Sequence, residues 1–561
     1  MASSATANRS LDGQIIGLWK ELNPSGAYML GWDEYAGRLF IPSEQNVQDA
    51  LQKVRALRRR AENDVQAKVL DSMEVALLLP EPQGALDDIV GSIFSHLTKE
   101  GVNEKNLASL VAAASRSIDA TQKRFKGAKV PTAVKALTLY RLDGTLEILE
   151  AVKKATKSKR LKEDCDRLAE KVRRFVALFE LEGFGKGTFE EVEKVFQKHR
   201  FALGREKFYR AALEGGFDYS ETPDELEAKA LGWIDEELPR YREIVKRLAE
   251  HYGCAATPDA VEKEVVERQK LKSGQLLRTT SSIRKAVREF TNEAVVRING
   301  RYKTTVIETP SFLSGTIPTG AAGFFDTFTK KPFQLYYLTT DPKRAPPRSV
   351  SQLINLLVHE EYGHCVNHSN SALRFGGKAS DLELIPVLLS GPITEGLSFN
   401  REREFLEASL ALKAKQESGA ALTKAERGYV ALLEKHGGVD LLNMEIELET
   451  RKFRLIRFLR VVGDVRINTG KQGLFEFLGW AEAHTGVPRR DMYYNLFPAH
   501  EGIFPGYATC YAVVGEEIRA IEERLTDPKK RVRFSTYLTG IGFPPRSVYR
   551  QRLEAFAASL G

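Results

Sequence analysis

The sequence predicts a mainly α-helical protein with one small β-sheet, and three observations support this class. From Ser43 to about Val295, hydrophobic residues recur at helical spacing between lysines and glutamates. Between about residues 297 and 342, short β-branched and aromatic runs separated by glycine and proline indicate strands instead. After Pro347 the helical pattern returns and continues to the last residues.

The composition is that of an ordinary folded protein. Of the 561 residues, 42% are hydrophobic and 28% are charged, which excludes a disordered, collagen-like or coiled-coil class. The net charge of +8 is small and the basic clusters are scattered, so we expect no nucleic-acid partner. The four cysteines lie far apart, which argues against a disulfide framework or a thiolate zinc site. Without a signal core or a run of 18 apolar residues, we expect a cytoplasmic protein that does not enter a membrane.

Turn-forming residues divide the first half into separate helices. One helix follows Ser43, with hydrophobic positions at Val47, Leu51, Val54 and Leu57. Later breaks are expected at residues 80–82, 183–187, 215–216 and 223.

Short strands precede the most informative helix. The strands are expected at residues 304–307, 323–328 and 333–338. They form a sheet over about residues 304–339, and the next helix covers about residues 350–368. Ser349 or Ser351 can cap the N-terminus of that helix.

The helix at about 350–368 contains the pattern H-E-x-x-x-H, from His359 to His364. The zinc-peptidase form H-E-x-x-H places its histidines about 40° apart around a helix, where both can bind one metal ion. The spacing here corresponds to about 140° on a regular helix. A π-bulge within residues 359–364 would restore same-face geometry, and we expect the distortion at Gly363.

Glu395 is the candidate third ligand, close to the start of the following long helix. Two neutral imidazoles and one carboxylate leave a tetrahedral zinc ion one position for water, whose pKa the metal lowers toward about 7. Glu360 would then take the proton of that water. Without the two histidines, Glu395 is better explained as a carboxylate that the helix dipole favours near an N-terminus.

Two alternatives remain open on the same helix. Glu360, His364 and His368 share one face of an undistorted helix, so His368 is a competing ligand. Glu361 could replace Glu360 as the base if the bulge lies earlier.

Polar residues nearer the C-terminus supply candidate donors to a developing oxyanion. Tyr511 is the first candidate, followed by Tyr507 and His500, and aromatic core packing is the alternative for Tyr511.

One helix also carries arginines at every third position, any of which could bind a peptide C-terminal carboxylate or lie in solvent. These are Arg451, Arg454, Arg457 and Arg460.

The motifs resemble those of the family catalogued as domain of unknown function 885, a set of predicted zinc peptidases of the gluzincin class. The segment 359–364 is similar to its H-E-x-x-P-G-H-H, shortened by one residue and without the proline. The segment 395–402 is similar to its E-G-W-A-x-Y-x-E, with Leu397 and Asn400 at the aromatic positions. Looser similarities lie at residues 30–35, 464–468 and 505–511. The first motif also resembles the H-E-x-x-G-H of the dipeptidyl-peptidase III type, which supports the ligand set His359, His364 and Glu395.

This resemblance implies a gluzincin-like helical clam around a deep cleft, with the small sheet next to the zinc helix. An edge strand at residues 321–328 would pair with the substrate backbone. We accordingly divide the chain into a helical N-terminal half, residues 1–295, that covers the cleft, and a catalytic half, residues 296–561. The catalytic half holds the sheet, the zinc helix and the C-terminal helices.

The predicted function is that of a zinc metallopeptidase, a hydrolase that cleaves short peptides through a metal-activated water. Carboxypeptidase action is favoured. Two alternatives stay open: an inactive helical peptide-binding scaffold, and a zinc hydrolase of non-peptide amides or esters. The expected partner is a peptide substrate, and the sequence does not fix the oligomeric state.

Overall fold

The protein is mainly helical, which confirms the predicted class. The computed structural model describes residues 10–185, 188–198, 201, 203–313, 317, 319–341, 348–498 and 504–561. Helices make up 71% and strands 4% of the structure.

The first half forms fourteen described helices, and its predicted helical character is confirmed. These are α1 (Leu11–Leu22), α2 (Pro24–Met29), α3 (Glu44–Arg58), α4 (Asp64–Leu78), α5 (Gly84–Glu100), α6 (Glu104–Phe125), α7 (Thr132–Tyr140), α8 (Leu142–Ala155), α9 (Lys159–Val176), α10 (Phe189–Lys198), α11 (Glu206–Ala211), α12 (Pro223–Tyr252), α13 (Pro258–Arg268) and α14 (Ser273–Ala294). Ser43 caps α3 by accepting a hydrogen bond from the backbone N–H of Asn46. The predicted break at residues 80–82 separates α4 from α5. The predicted break at Pro223 also separates helices, since Pro223 is the first residue of α12, where its missing N–H costs nothing.

Three short strands form the predicted sheet. They are β1 (Thr304–Glu308), β2 (Gly320–Phe325) and β3 (Phe333–Leu338), in the order β1-β3-β2. β3 pairs in parallel with β1 and antiparallel with β2, with Ala321 opposite Tyr337. β2 is therefore an edge strand, but it ends before the predicted residue 328. Asp326 has a φ of 54°, which turns the backbone out of the strand.

The remaining described helices follow the sheet. They are α15 (Val350–Leu357), α16 (Val366–Ala372), α17 (Ser390–Glu417), α18 (Lys424–Lys435), α19 (Val439–Thr469), α20 (Leu474–Thr485), α21 (Arg489–Leu496), α22 (Cys510–Glu522), α23 (Pro528–Leu538) and α24 (Arg546–Leu560). A π-helical segment, Val358–Cys365, joins α15 to α16 without a break. Ser349, not Ser351, is the N-cap of α15, because its side chain accepts from the N–H of Gln352.

Among the hydrophobic cores of the described residues, one includes α19 and another includes α15 and the π segment. The larger core combines residues from both sides of the predicted boundary near residue 295, for example Tyr241 of α12 and Val461 of α19. The second core packs α15 and the π segment against β3 and α14, through residues such as Leu357, Tyr336 and Phe290. The π segment is therefore held on its apolar side by the sheet and by α14. The boundary itself stays a prediction.

Candidate metal centre

The π-helical segment confirms the predicted distortion between the two histidines. It spans Val358–Cys365 and therefore contains the whole interval from His359 to His364. In a π-helix the backbone hydrogen bonds join residues five apart, so side chains at that spacing lie on one face. His359 and His364 are five apart, and their ring centroids are 4.8 Å from each other.

Gly363 has a different function from the one the sequence suggested. Its φ is not among the positive values in the chain, so the distortion does not depend on glycine's conformational freedom. A Cβ at this position would lie 2.6 Å from Oγ and 2.8 Å from Cα of Ser398 in α17. Gly363 is needed because the π segment and α17 approach so closely that no side chain fits between them.

A second close approach, between α17 and α22, fixes the opposite side of α17. A Cβ on Gly396 would lie 2.6 Å from Cβ of Val514 and 2.9 Å from the backbone nitrogen of Gly515 in α22. Both glycines are therefore points of backbone contact between helices. As a result α17, which carries Glu395, is held between the π segment and α22.

His359, His364 and Glu395 converge in a buried cluster that could hold a metal ion. One donor atom from each residue lies within 4.8 Å of the others. Oε2 of Glu395 is 3.3 Å from Nε2 of His364 and 3.9 Å from Nε2 of His359. Donor atoms around a tetrahedral zinc ion lie about 3.3–3.5 Å apart, from metal–ligand distances of about 2.0–2.2 Å. Oε2 thus faces the two imidazole nitrogens, whereas Oε1 of the same carboxylate accepts from Tyr507.

Hydrogen bonds to Nδ1 orient both imidazoles. Nδ1 of His359 lies 2.7 Å from Oε1 of Glu402, and Glu402 is also bound by Arg457 at 2.7 Å. Nδ1 of His364 lies 2.9 Å from Oγ of Ser398, whose own proton goes to the carbonyl oxygen of Thr394. With a proton on each Nδ1, Nε2 of both rings would be left to face the cluster.

The charges within the cluster are strongly coupled. Burial, and then the nearby Arg457, hold the pKa of His359 well below its usual value. Burial also opposes the charged forms of His364 and Glu395, but their mutual attraction raises the pKa of His364 and lowers that of Glu395 to about 2. A proton on His364 thus occupies the position where a metal ion would bind, and metal binding would release it.

Replacing Ser398 by alanine should weaken metal binding without unfolding the protein. The substitution removes the acceptor that fixes the His364 ring, and changes of this kind reduce metal affinity by about 10–100-fold. Zinc affinity measured by chelator competition tests this. Ser409→Ala is the matched control, because Ser409 lies on the same helix and binds Tyr429 and Asn443 instead. Unchanged zinc affinity in Ser398→Ala would contradict the assignment.

Glu360 and Glu361 lie in different environments. Glu360 is buried, and among the described residues it forms neither a hydrogen bond nor an ion pair. Burial, reinforced by Glu395, raises its pKa to about 7. Glu361 instead forms a bidentate ion pair with Arg284 and accepts a hydrogen bond from Tyr302 at 2.9 Å. These contacts favour Glu360 over Glu361 as the candidate base, since the carboxylate of Glu361 is engaged by Arg284 and Tyr302.

The two tyrosines both border the cluster, and their ring centroids are 6.0 Å apart. The hydroxyl of Tyr507 donates to Oε1 of Glu395, so it orients the ligand carboxylate. The turn that carries Tyr507 is held by Asp464, which accepts hydrogen bonds from the backbone N–H of Gly506 and from the hydroxyl of Thr509. The Tyr511 ring stacks on His359 with centroids 6.2 Å apart, and so packs directly beside the candidate ligands.

The predicted arginines are not solvated, and they differ in their partners. On α19, Arg451 is half-buried, and Arg454, Arg457 and Arg460 are buried. Arg457 binds Glu402, the carboxylate that contacts Nδ1 of His359, and so helps to hold that imidazole in position. Burial lowers the pKa of Arg460 to about 10, which leaves it a cation at neutral pH.

Two further candidates lie apart from the cluster. His368 stacks on Phe324 with centroids 4.1 Å apart, and burial lowers its pKa to about 3. It is not a member of the metal cluster, so the rival ligand set is wrong. His500 lies outside the described residues.

Sequence reasoning did not assign the residues that support the ligands. Ser398, Glu402 and Arg457 contact the imidazoles or their partners, yet the sequence placed Ser398 and Glu402 only within a motif and offered Arg457 only as a carboxylate-binding candidate. A signal was available in α17, because residues 395, 398 and 402 are spaced to share one helix face.

The class defined so far is a mainly helical fold with a His-His-Glu candidate metal centre. No protein-family model matches the chain, and no curated protein matches it. A "putative lipoprotein" from Colwellia psychrerythraea has a TM-score of 0.60 at 14% identity, over 99% of both chains. A "putative lipoprotein of unknown function" from Shewanella oneidensis has a TM-score of 0.64 at 15% identity, over 97% of this chain and 99% of the other. At these identities the similarity establishes the fold alone.

In the described part of the chain, no helix has the length and apolar character needed to cross a membrane.

Proposed function

We propose that the protein is a zinc-dependent peptidase that hydrolyses short peptides. The observation that carries this proposal is the convergence of His359, His364 and Glu395 beside Glu360, a buried carboxylate with no hydrogen bond or ion pair among the described residues. Two neutral imidazoles and one carboxylate match a catalytic zinc site, which keeps one position open. A buried carboxylate with a raised pKa beside such a site is suited to proton transfer.

Bound zinc would polarise the substrate carbonyl and lower the pKa of water. The protein's own residues supply the remaining steps. Glu360 accepts a proton from the attacking water and then returns it to the departing amine. Tyr511 supplies a neutral donor to the carbonyl oxygen as negative charge develops there. Tyr507, Ser398 and Glu402 act by positioning, since each contacts a ligand side chain.

The substrate would lie in a cleft between the two predicted halves of a clam-like body. β2 is an edge strand, with backbone groups available on the side away from β3. A peptide could add to this edge as a further strand, which would explain preference for an extended substrate. We also propose a cytoplasmic location, in keeping with the four cysteines, which are all free.

Metal analysis and peptide hydrolysis test the proposal together. Protein purified without a histidine tag from zinc-replete cells should contain about one zinc ion per chain. Chelation should abolish hydrolysis of short peptides and lower the melting temperature, because a ligand that binds only the folded state stabilises it. Restored zinc should reverse both effects.

Other results would select the alternatives. Protein that takes up no transition metal under these conditions, yet binds peptides, would be a scaffold. Zinc-loaded protein that cleaves esters or non-peptide amides but no peptide would be a hydrolase of another class.

A further inference from the structure

Arg460 of α19 is a buried cation that no carboxylate neutralises within the described part of the chain. Only 5% of its surface is exposed. Its Nη2 donates a hydrogen bond to Oδ1 of Asn495, whereas Nε and Nη1 are buried and have no hydrogen-bond partner among the residues that the structure describes. A buried charge that lacks a counter-ion is costly, and such groups are rare in folded proteins. A bound anion would supply the missing partner.

The other arginines of the same helix do not share this property. Arg451 binds Glu237 at 2.8 Å, and Arg454 binds Glu237 at 3.0 Å and Glu516 at 2.8 Å. Arg457 binds Glu402 at 2.7 Å. The unneutralised charge of Arg460 is therefore not a general feature of this helix.

The position of Arg460 relates it to the metal cluster. Its guanidinium carbon lies 4.8 Å from the centroid of the Tyr511 ring, and that ring stacks on His359. The cation and a candidate ligand thus contact the same aromatic ring. This places the guanidinium where it can contact a group at one end of a substrate whose reacting bond lies at the cluster.

The charge balance favours an anionic group on that substrate. Arg457 and Glu402 neutralise each other. A divalent ion and Arg460 together contribute three positive charges, against the two carboxylates of Glu395 and Glu360. The loaded site would therefore keep an excess positive charge in a buried environment, where electrostatic attraction is strong.

We propose that Arg460 is the residue that determines specificity, by binding the terminal carboxylate of a peptide, and that the protein removes residues from the C-terminal end. This inference rests on the proposed peptidase function. A guanidinium forms charge-assisted hydrogen bonds to a carboxylate, and Nη1 is available to donate them. A C-terminal amide carries no charge and would not satisfy the cation.

Two peptide pools test the inference. N-acetylated hexapeptides without Asp or Glu are prepared as free acids and as C-terminal amides, so that the terminus is the only variable charge. kcat/KM is measured with zinc-loaded protein, and equilibrium binding is measured with the Glu360→Gln variant. The unaltered enzyme should prefer free acids, and Arg460→Met should reduce kcat/KM for free acids by about 10–100-fold, with little change for amides.

The controls separate charge from folding. Arg460→Lys should retain part of the preference, and Arg451→Met, on the same helix, should retain all of it. Arg460→Met should melt at or above the temperature of the unaltered protein, because an unneutralised buried charge has been removed. Free-acid preference that survives in Arg460→Met, or preference for amides in the unaltered protein, would overturn the inference.

Failure of the proposed function gives a different result. Protein that cleaves neither pool is not the proposed peptidase, but its binding of the pools still tests Arg460. Free-acid binding that Arg460→Met abolishes would support the carboxylate site. Equal binding of both pools, or binding of neither, would overturn it.

Discussion

Replacing Glu360 by glutamine will reduce peptide hydrolysis by about 10²–10⁴-fold, the usual contribution of a general base, while zinc content stays near one ion per chain. Glutamine has the same shape but cannot accept the proton of the attacking water. Because Glu360 forms no ion pair within the described residues, the substitution leaves no buried charge without a partner. The measurements are kcat on a short peptide and zinc by mass spectrometry.

The neighbouring carboxylate supplies the matched control. Glu361→Gln weakens the buried ion pair with Arg284, so it should lower the melting temperature. Its effect on kcat should be small, because Glu361 faces Arg284 and Tyr302. A Glu360→Gln variant as active as the original would exclude Glu360 as the base. Equal losses of activity in the two variants would show that the effect comes from folding.

Replacing Glu395 by glutamine will reduce zinc occupancy to well below one ion per chain and remove activity with it. The amide keeps an oxygen for Tyr507 but lacks the negative charge that neutralises a divalent ion. The chain would then offer two imidazoles alone, fewer than the three protein ligands typical of catalytic zinc. Zinc affinity by chelator competition is the direct measurement.

Glu407→Gln provides the comparison for this change. Glu407 lies on the same helix, half-exposed, and pairs with Arg403 and Arg531. It should bind zinc as the unaltered protein does. Full zinc occupancy in Glu395→Gln would contradict the ligand set, whatever its activity.

The sequence predicts the ligands better than it predicts their support. His359 and His364 are recognisable because their spacing violates a regular helix, and the π segment resolves that conflict. The functions of Ser398 and Arg457 depend on how α17 and α19 pack against the π segment. The shared face of residues 395, 398 and 402 indicates the side of α17 involved, but not what that side contacts. The same holds for Arg460, since its lack of a partner is visible only after its neighbours are placed.

The fold shows the same division between local and tertiary information. Helical periodicity predicts the long helices, because each buries one face, and β-branched runs predict the strands. The end of β2 was misplaced because Asp326 adopts a positive φ and pairs with Lys99 at 2.6 Å, a contact across more than two hundred residues of chain. The close helix contacts at Gly363 and Gly396 are likewise tertiary, since isolated glycines equally indicate turns.

Glu395, Ser398 and Glu402 all belong to the single helix α17, so its axial position determines three contacts at once. A slip of α17 by a fraction of its 1.5 Å rise per residue would detach the carboxylate and disorient both rings together. Metal binding should consequently hold α17 and the π segment in a fixed relative position and reduce local opening of both. Slower amide hydrogen exchange in these two segments, and not in the distant α6, would be the signature of that coupling.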